Sequence, residues 1–547
     1  MCALAGLAVS AGAVPPLPGG HRPGDRSTCR VNGEALGRRV ASLRAQARGA
    51  APLAPPSPLT PTVYVLRVDF SGTAMSASLA TTRNFFQQVQ DYYVENSYGV
   101  FVPTFTVSPV VYTLGHTLAY YGANSGALCS GINDVTCGVG ELFADATTAA
   151  AAVDFSPYDH LMIYHAGSGE ESNTSLPNNL WSLYMPDSNT LDGKTFQGFT
   201  LVPESESGLA DPLGVICHEY GHQLGLPDLY DTSTGLATIG TWDLMDYPWA
   251  GSPQGSNPPH LGAWCKKFLG FGTVQPASTG TVTFLPVETN NTGVHELYAT
   301  GQEYFLAEYR SKTAGAYDAA LPQAAGGLAL WHVDDAVALN GTVLSNNNVN
   351  AASSNGFGHR GVDLVEADGV EANPDGGDLG NNNAWDNGQT ATSPQTDLFG
   401  GQASSLAISN ITGVGGGSVQ ATITFFLAAS EVSVGKVRGY PNPSGGRYPA
   451  RAGAPTGTLA TLRFELTRPV AARDLRMDIY ALDGGRVRSI GGTGMRFRDD
   501  VSENFNWVYE FDWDGKNESG DEVGSGVYLI HLDADGHTVN GKLAIER

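Results

Sequence analysis

Val215-Ile-Cys-His-Glu-Tyr-Gly-His-Gln-Leu-Gly-Leu-Pro-Asp-Leu-Tyr-Asp231 is the stretch whose reading decides the fold. As a helix it puts His218 and His222 four residues apart, one turn from each other on one face. Two imidazoles at that spacing can both reach one Zn²⁺ at about 2.0–2.1 Å. Glu219 follows the first histidine, where it faces the ion's open side without ligating it. Gly225 can end the helix in a positive-φ turn, and Pro227 keeps the helix from resuming. The turn swings Asp228 back toward the histidines as the candidate third ligand. Asp231 or a distant glutamate is the alternative for that position, and calcium at Asp228 is the alternative use of the residue.

The pattern His-x-x-x-His-x-x-Gly-x-x-Asp extends the HExxH arrangement, in which the glutamate is the general base of a metalloprotease. It is metzincin-like, with Asp where the third histidine usually stands. Downstream, Gly240-Thr-Trp-Asp-Leu-Met-Asp-Tyr247 has the form of a methionine turn, with Met245 expected as an apolar floor beneath the metal. Three protein ligands would leave a fourth position open, as catalytic zinc requires and structural zinc does not. Glu219 is then the expected base, and Tyr247 the candidate donor to the developing oxyanion. The expected fold is a multidomain chain with an α/β zincin catalytic domain followed by β-sandwich domains.

Further marks appear in order along the chain: Asp91-Tyr-Tyr-Val-Glu-Asn-Ser-Tyr-Gly99, His165-Ala-Gly-Ser-Gly-Glu-Glu171, Glu308-Tyr-Arg310 and Gly327-Leu-Ala-Leu-Trp-His-Val-Asp334. With the metal core and Trp242-Asp-Leu-Met245, they resemble the immune inhibitor A-type secreted metalloproteases over about residues 62 to 427. The resemblance implies a secreted, zinc-dependent endopeptidase, often stabilised by calcium, acting on protein or peptide substrates. A second resemblance covers residues 431–547, through Tyr440-Pro-Asn-Pro443, Met477-Asp-Ile-Tyr480, Asp483-Gly-Gly-Arg486, Trp513-Asp-Gly-Lys-Asn517 and Ser525-Gly-Val-Tyr-Leu529. These are similar to the FlgD-type Ig-like domain, which implies a small β-sandwich and a candidate cell-surface tether.

The rest of the chain is consistent with an extracellular protein. At 547 residues it is too long for one core. A net charge of −24 with only 15% charged residues argues against nucleic acid or an anionic membrane as partner. Met1 to Ala13 is an apolar small-residue run ending in Ala-Gly-Ala, expected as a partial signal peptide whose basic start lies upstream. Residues 14–60 are Pro-, Arg- and Ala-rich and are expected to be a pro-region and linker, with Cys29 as a candidate zinc cap. No later stretch reaches 18 uninterrupted apolar residues, so no transmembrane segment is expected.

Residues 61–270 are expected to form the catalytic domain. Val63–Phe70 and His160–His165 read as buried strands, and residues 79–95 as an amphipathic helix. Trp181-Ser-Leu-Tyr-Met185 is the candidate edge strand for an extended peptide. Residues 271–427, with short alternating runs and Asn/Gly turns, are expected to be a β-sandwich packed on it. Glu170, Glu171, Asp375 and Asp378 are candidate calcium ligands. Cys129 and Cys137 are expected to form a local bridge, and Cys217 and Cys265 a bridge from the metal helix to the helix around residues 261–269. Two other functions stay open on sequence: an adhesin carrying a non-catalytic peptidase domain, and a zinc hydrolase of another amide or ester.

Overall fold

Thr62–Phe70 (β1) is apolar almost throughout and buried on both faces, the mark of an inner parallel strand. In the computed structural model it pairs in parallel with Thr104–Leu114 (β2) on one side and His160–Ser168 (β3) on the other. The structure describes residues 59–123, 138–172, 175–208, 210–277, 279–300, 302–369, 382–401, 404, 406–425, 437–444, 454–466, 475–498, 507–534 and 536–547. Cys29, Cys129, Cys137, Asp375 and Asp378 lie outside the described residues. Leu183–Met185 (β4) follows β3, and then a two-stranded ribbon of Asn189–Leu191 (β5) and Lys194–Phe196 (β6). Phe199–Ser205 (β7) pairs in parallel with β3, and β4 closes the edge antiparallel to it, giving the order β2-β1-β3-β7-β4.

Parallel neighbours require crossovers, and helices supply them. Leu79–Asn96 (α1), capped by the Ser78 hydroxyl accepting from the Thr81 N–H, connects β1 to β2. Val139–Ala149 (α2) lies between β2 and β3. The period-2 alternation of β1 divides its side chains between two cores. Tyr64, Leu66 and Val68 pack with Leu142 and Phe143 of α2, whereas Val63 and Val65 pack with Phe86 and Val89 of α1. Leu213–Gln223 (α3), which carries the two histidines, belongs to the second of these cores through Ile216, Cys217 and Tyr220. Ala263–Leu269 (α4) joins the same core and ends at Gly270, whose φ of 68° lies in the left-handed region.

Beyond α4 the chain turns to strands: Gln275–Pro276 (β8), Gly280–Phe284 (β9), Val294–Thr300 (β10), Glu303–Arg310 (β11), Gly327–Asp334 (β12), Val362–Leu364 (β13), Leu406–Thr412 (β14) and Val419–Phe425 (β15). They form one sheet of order β13-β12-β11-β10-β8 and another of order β14-β15-β9. Phe305, Leu328 and Leu330 share a core with Ile408 and Ile423, so the two sheets face each other. The alternate residues Leu306, Ala329 and Trp331 turn the other way, into the core that holds α1, α3 and α4. The division expected at residue 270 falls inside this shared core, and the chain separates into compact units only at Met1–Phe426 and Leu427–Arg547. A short helix, Gly341–Ser345 (α5), interrupts the strands between β12 and β13.

The second unit contains two antiparallel four-stranded sheets. Arg438–Tyr440 (β16), Ala460–Leu466 (β17), Trp507–Trp513 (β21) and Arg496–Arg498 (β20) make one. Arg486–Gly491 (β19), Leu475–Ala481 (β18), Gly526–Ala534 (β22) and His537–Ile545 (β23) make the other. Phe464, Trp513, Met477 and Ile530, drawn from both sheets, meet in a core of their own. Among the described residues no helix is long and apolar enough to cross a membrane.

Candidate metal centre

The site is set by where α3 stops. With Leu224 as the C-cap, the Gly225 N–H donates to the His222 carbonyl at 3.0 Å and the Leu226 N–H to the Gly221 carbonyl at 3.1 Å. This crossed pair is a Schellman end, and Gly225 meets its left-handed requirement with φ of 100°. The chain then reverses along the helix and brings Asp228 to the two histidines. His218 Nε2 lies 3.0 Å and His222 Nε2 3.3 Å from Asp228 Oδ1, and the two Nε2 atoms are 3.1 Å apart. All three side chains are fully buried.

The outer ring nitrogens say what the inner ones offer. His218 Nδ1 faces the Leu244 carbonyl at 2.9 Å, and His222 Nδ1 faces the Leu226 carbonyl at 2.8 Å. A carbonyl only accepts, so each Nδ1 carries the proton, and in the neutral tautomer each Nε2 presents a lone pair. Three electron-rich atoms therefore converge in a buried site, an arrangement that a cation stabilises. A tetrahedral ion about 2.0–2.1 Å from each of three atoms would hold them roughly 3.3 Å apart, close to the observed triangle. The donor set, two imidazoles and a carboxylate, suits zinc. Burial lowers the His218 pKa against the opposing pull of Asp228.

Met245 lies beneath α3. A Cβ built on Gly221, between the two histidines, would come within 2.7 Å of Met245 Sδ. Asp243 forms the turn that presents this methionine, accepting from the Met245 N–H and the Gly262 N–H at 2.7 Å each. Its pKa is pushed up to about 6 by burial, with those two hydrogen bonds and Arg310 acting the other way. Asp246 gathers the N–H groups of Thr238, Ile239 and Gly240.

Glu219 is fully buried on α3 beside His218. Tyr247 is buried in a small apolar cluster with Val215, one turn before His218, and Trp249. The Asp231 carboxylate accepts from the Ser233 N–H at 2.9 Å and its hydroxyl at 2.5 Å, so it caps its own turn away from the histidines. Glu171 is buried and receives the Ser182 hydroxyl at 2.5 Å. Burial raises its pKa and that of nearby Glu206. His165 is a core residue, its Nδ1 3.0 Å from the Ala166 carbonyl.

The bridge expected between Cys217 and Cys265 is corrected: both are free and buried. Cys265 Sγ points at Asp243 Oδ1, 3.8 Å away, while Cys217 lies on α3, where its carbonyl accepts the Tyr93 hydroxyl at 2.6 Å. Two participants of the site region had no role assigned from sequence. Asn347, just after α5, receives the Asp228 N–H on Oδ1 at 2.8 Å and donates from Nδ2 to Asp228 Oδ2 at 2.5 Å. Arg310 forms a buried fork with Asp318, both contacts 2.6 Å, and donates to the Trp242 carbonyl at 2.8 Å. It thereby ties β11 to the methionine turn. Arg310 stood in a quoted stretch, but nothing there indicated this role.

Residues 154–272, which include His218, Glu219, His222, Asp228, Met245 and Tyr247 but neither Asn347 nor Arg310, match the family model described as Immune inhibitor A peptidase M6, catalytic domain. The "Pre-pro-metalloprotease PrtV" of Vibrio cholerae serotype O1 (strain M66-2) is 36% identical over 125 residues, 20% of this chain and 14% of that protein. The "Immune inhibitor A" of Bacillus thuringiensis subsp. alesti is 34% identical over 129 residues, 20% of this chain and 18% of that one. The chain thus spans under a fifth of the length of these curated relatives. Among solved structures, CopC from Methylosinus trichosporium OB3b aligns with 21% of this chain and 91% of its own at 16% identity and a TM-score of 0.12, too low to inform the fold.

Proposed function

We propose that this chain is a secreted zinc-dependent endopeptidase with a metzincin-like catalytic domain. The observation that carries the reading is the buried convergence of His218 Nε2, His222 Nε2 and Asp228 Oδ1 within 3.3 Å of one another. The parallel sheet with its antiparallel edge strand, the Gly225 turn and Met245 beneath the helix support the fold assignment, and the family match over residues 154–272 supports peptidase chemistry. Zinc held by these three residues supplies Lewis acidity toward water and the scissile carbonyl. Glu219 accepts a proton from the attacking water and returns it to the leaving amine. Tyr247 is assigned as hydrogen-bond donor to the carbonyl oxygen as it becomes an oxyanion. The edge strand β4 offers backbone pairing to an extended peptide. Secretion rests on the Met1–Ala13 segment and agrees with the printed name of the Vibrio relative, a pre-pro-metalloprotease.

Digestion of casein tests the activity. The chain is expected to cleave it, to stop when 1,10-phenanthroline removes zinc, and to resume when zinc is restored. Cleavage indifferent to the chelator would overturn the metal mechanism. A zinc-loaded chain that leaves casein intact would instead favour a binding protein or a hydrolase of other bonds. Residues 431–547 are expected to be dispensable for this cleavage, because their sandwich has its own core. Loss of activity in a truncated chain whose circular dichroism remains native would make that unit part of the active machinery.

A further inference from the structure

We propose that Asn347 is a positioning residue for the metal centre, its carboxamide holding Asp228 so that one carboxylate oxygen faces both histidines. The inference rests on the zinc reading above and deepens it. Asn347 makes a two-point contact with one residue: Oδ1 accepts the Asp228 N–H at 2.8 Å, and Nδ2 donates to Asp228 Oδ2 at 2.5 Å. The backbone N–H needs an oxygen opposite it, and the carboxylate needs a donor, so the amide has only one orientation here. Asp228 Oδ2 is thereby occupied, and Oδ1 is the oxygen left 3.0 and 3.3 Å from the two Nε2 atoms. An Asp on a short connection after Gly225 would otherwise rotate about χ1 and χ2. The amide fixes both.

The clamp is itself held. Asn347 is 1% exposed and has φ of 51°, a left-handed conformation that asparagine tolerates better than most residues. Its N–H donates to the Leu344 carbonyl of α5 at 3.0 Å. Three residues on, Asn350 donates to the Leu229 carbonyl at 2.7 Å and to the Val362 carbonyl at 2.6 Å, and accepts the Val362 N–H at 3.0 Å. The loop Asn347–Asn350 is therefore pinned at once to the segment bearing Asp228 and to β13. A ligand supplied by the peptidase segment is oriented by a loop 119 residues away in sequence.

The test is the zinc affinity of the full chain, measured by competition with a chromophoric chelator. Asn347→Gly keeps the left-handed backbone and deletes the amide. It is expected to weaken zinc binding about 10–100-fold, as loss of a ligand's supporting partner typically does. In an Asp228→Ala background the same change is expected to alter affinity by no more than about twofold, because its target is gone. A purely structural role would produce the same loss in both backgrounds, and that result overturns the proposal, as does unchanged affinity in the single variant. Should Asn347→Gly fail to fold, Asn347→Asp keeps size and backbone tolerance but sets an acceptor against Asp228 Oδ2. Its zinc affinity is expected to fall at least as far, and a parent-like value overturns the proposal. A parent chain that binds no zinc overturns the metal reading and this inference with it. A zinc-binding parent with an indifferent Asn347 overturns this inference alone.

Discussion

The Glu219→Gln variant is expected to lose proteolysis by about 10²–10⁴-fold while keeping the zinc content of the parent chain. Glutamine preserves the shape of a fully buried side chain on α3 but cannot take a proton at working pH. The described hydrogen bonds that hold the ligands run through other groups. His218 stays anchored through Nδ1 to the Leu244 carbonyl, His222 to the Leu226 carbonyl, and Asp228 to Asn347. The loss should therefore fall on kcat, with metal analysis unchanged. A variant that loses zinc in step with activity would show that Glu219 belongs to the coordination and not to the proton transfer.

Asp228→Ala is the second large effect. It removes the charge that offsets part of the ion's, leaves two imidazoles facing each other at 3.1 Å, and takes the carboxylate acceptor from the buried Asn347 Nδ2. That orphaned donor alone costs about 1–3 kcal/mol. Zinc affinity should fall by more than the roughly 10–100-fold typical of residues that only support a ligand. Activity should return only at high added zinc. Asp228→His is expected not to restore the site, because the larger imidazole would meet Asn347 Nδ2, which stands 2.5 Å from the carboxylate.

Much of the centre was legible because it is local. His218, Glu219 and His222 occupy one turn of helix, Gly225 and Pro227 end it, and Met245 follows within a short loop. Val63–Phe70 announced an inner strand by its mostly apolar run, and residues 79–95 a helix by its spacing. What the sequence hid is what tertiary contact creates. Asn347 sits in Asn346-Asn-Asn-Val-Asn350, a polar run that reads as any surface turn, and only folding brings its amide to Asp228. The two cysteines looked like bridge partners by proximity to helices, yet their sulfurs serve different surroundings. The change of composition near residue 270 records a shift from helix to strand, not the edge of a core, because alternate residues of β11 and β12 pack back onto the helices.

Equilibrium titration of zinc into the metal-free parent chain and into Asp228→Ala, each repeated with calcium, tests the central claim most directly. The account predicts tight binding of a single zinc equivalent to the parent. For the variant it predicts a much weaker zinc isotherm, with proteolysis recovered by zinc and not by calcium. Parent-like zinc affinity in the variant, or recovery by calcium alone, would remove Asp228 from the ligand set and contradict the account.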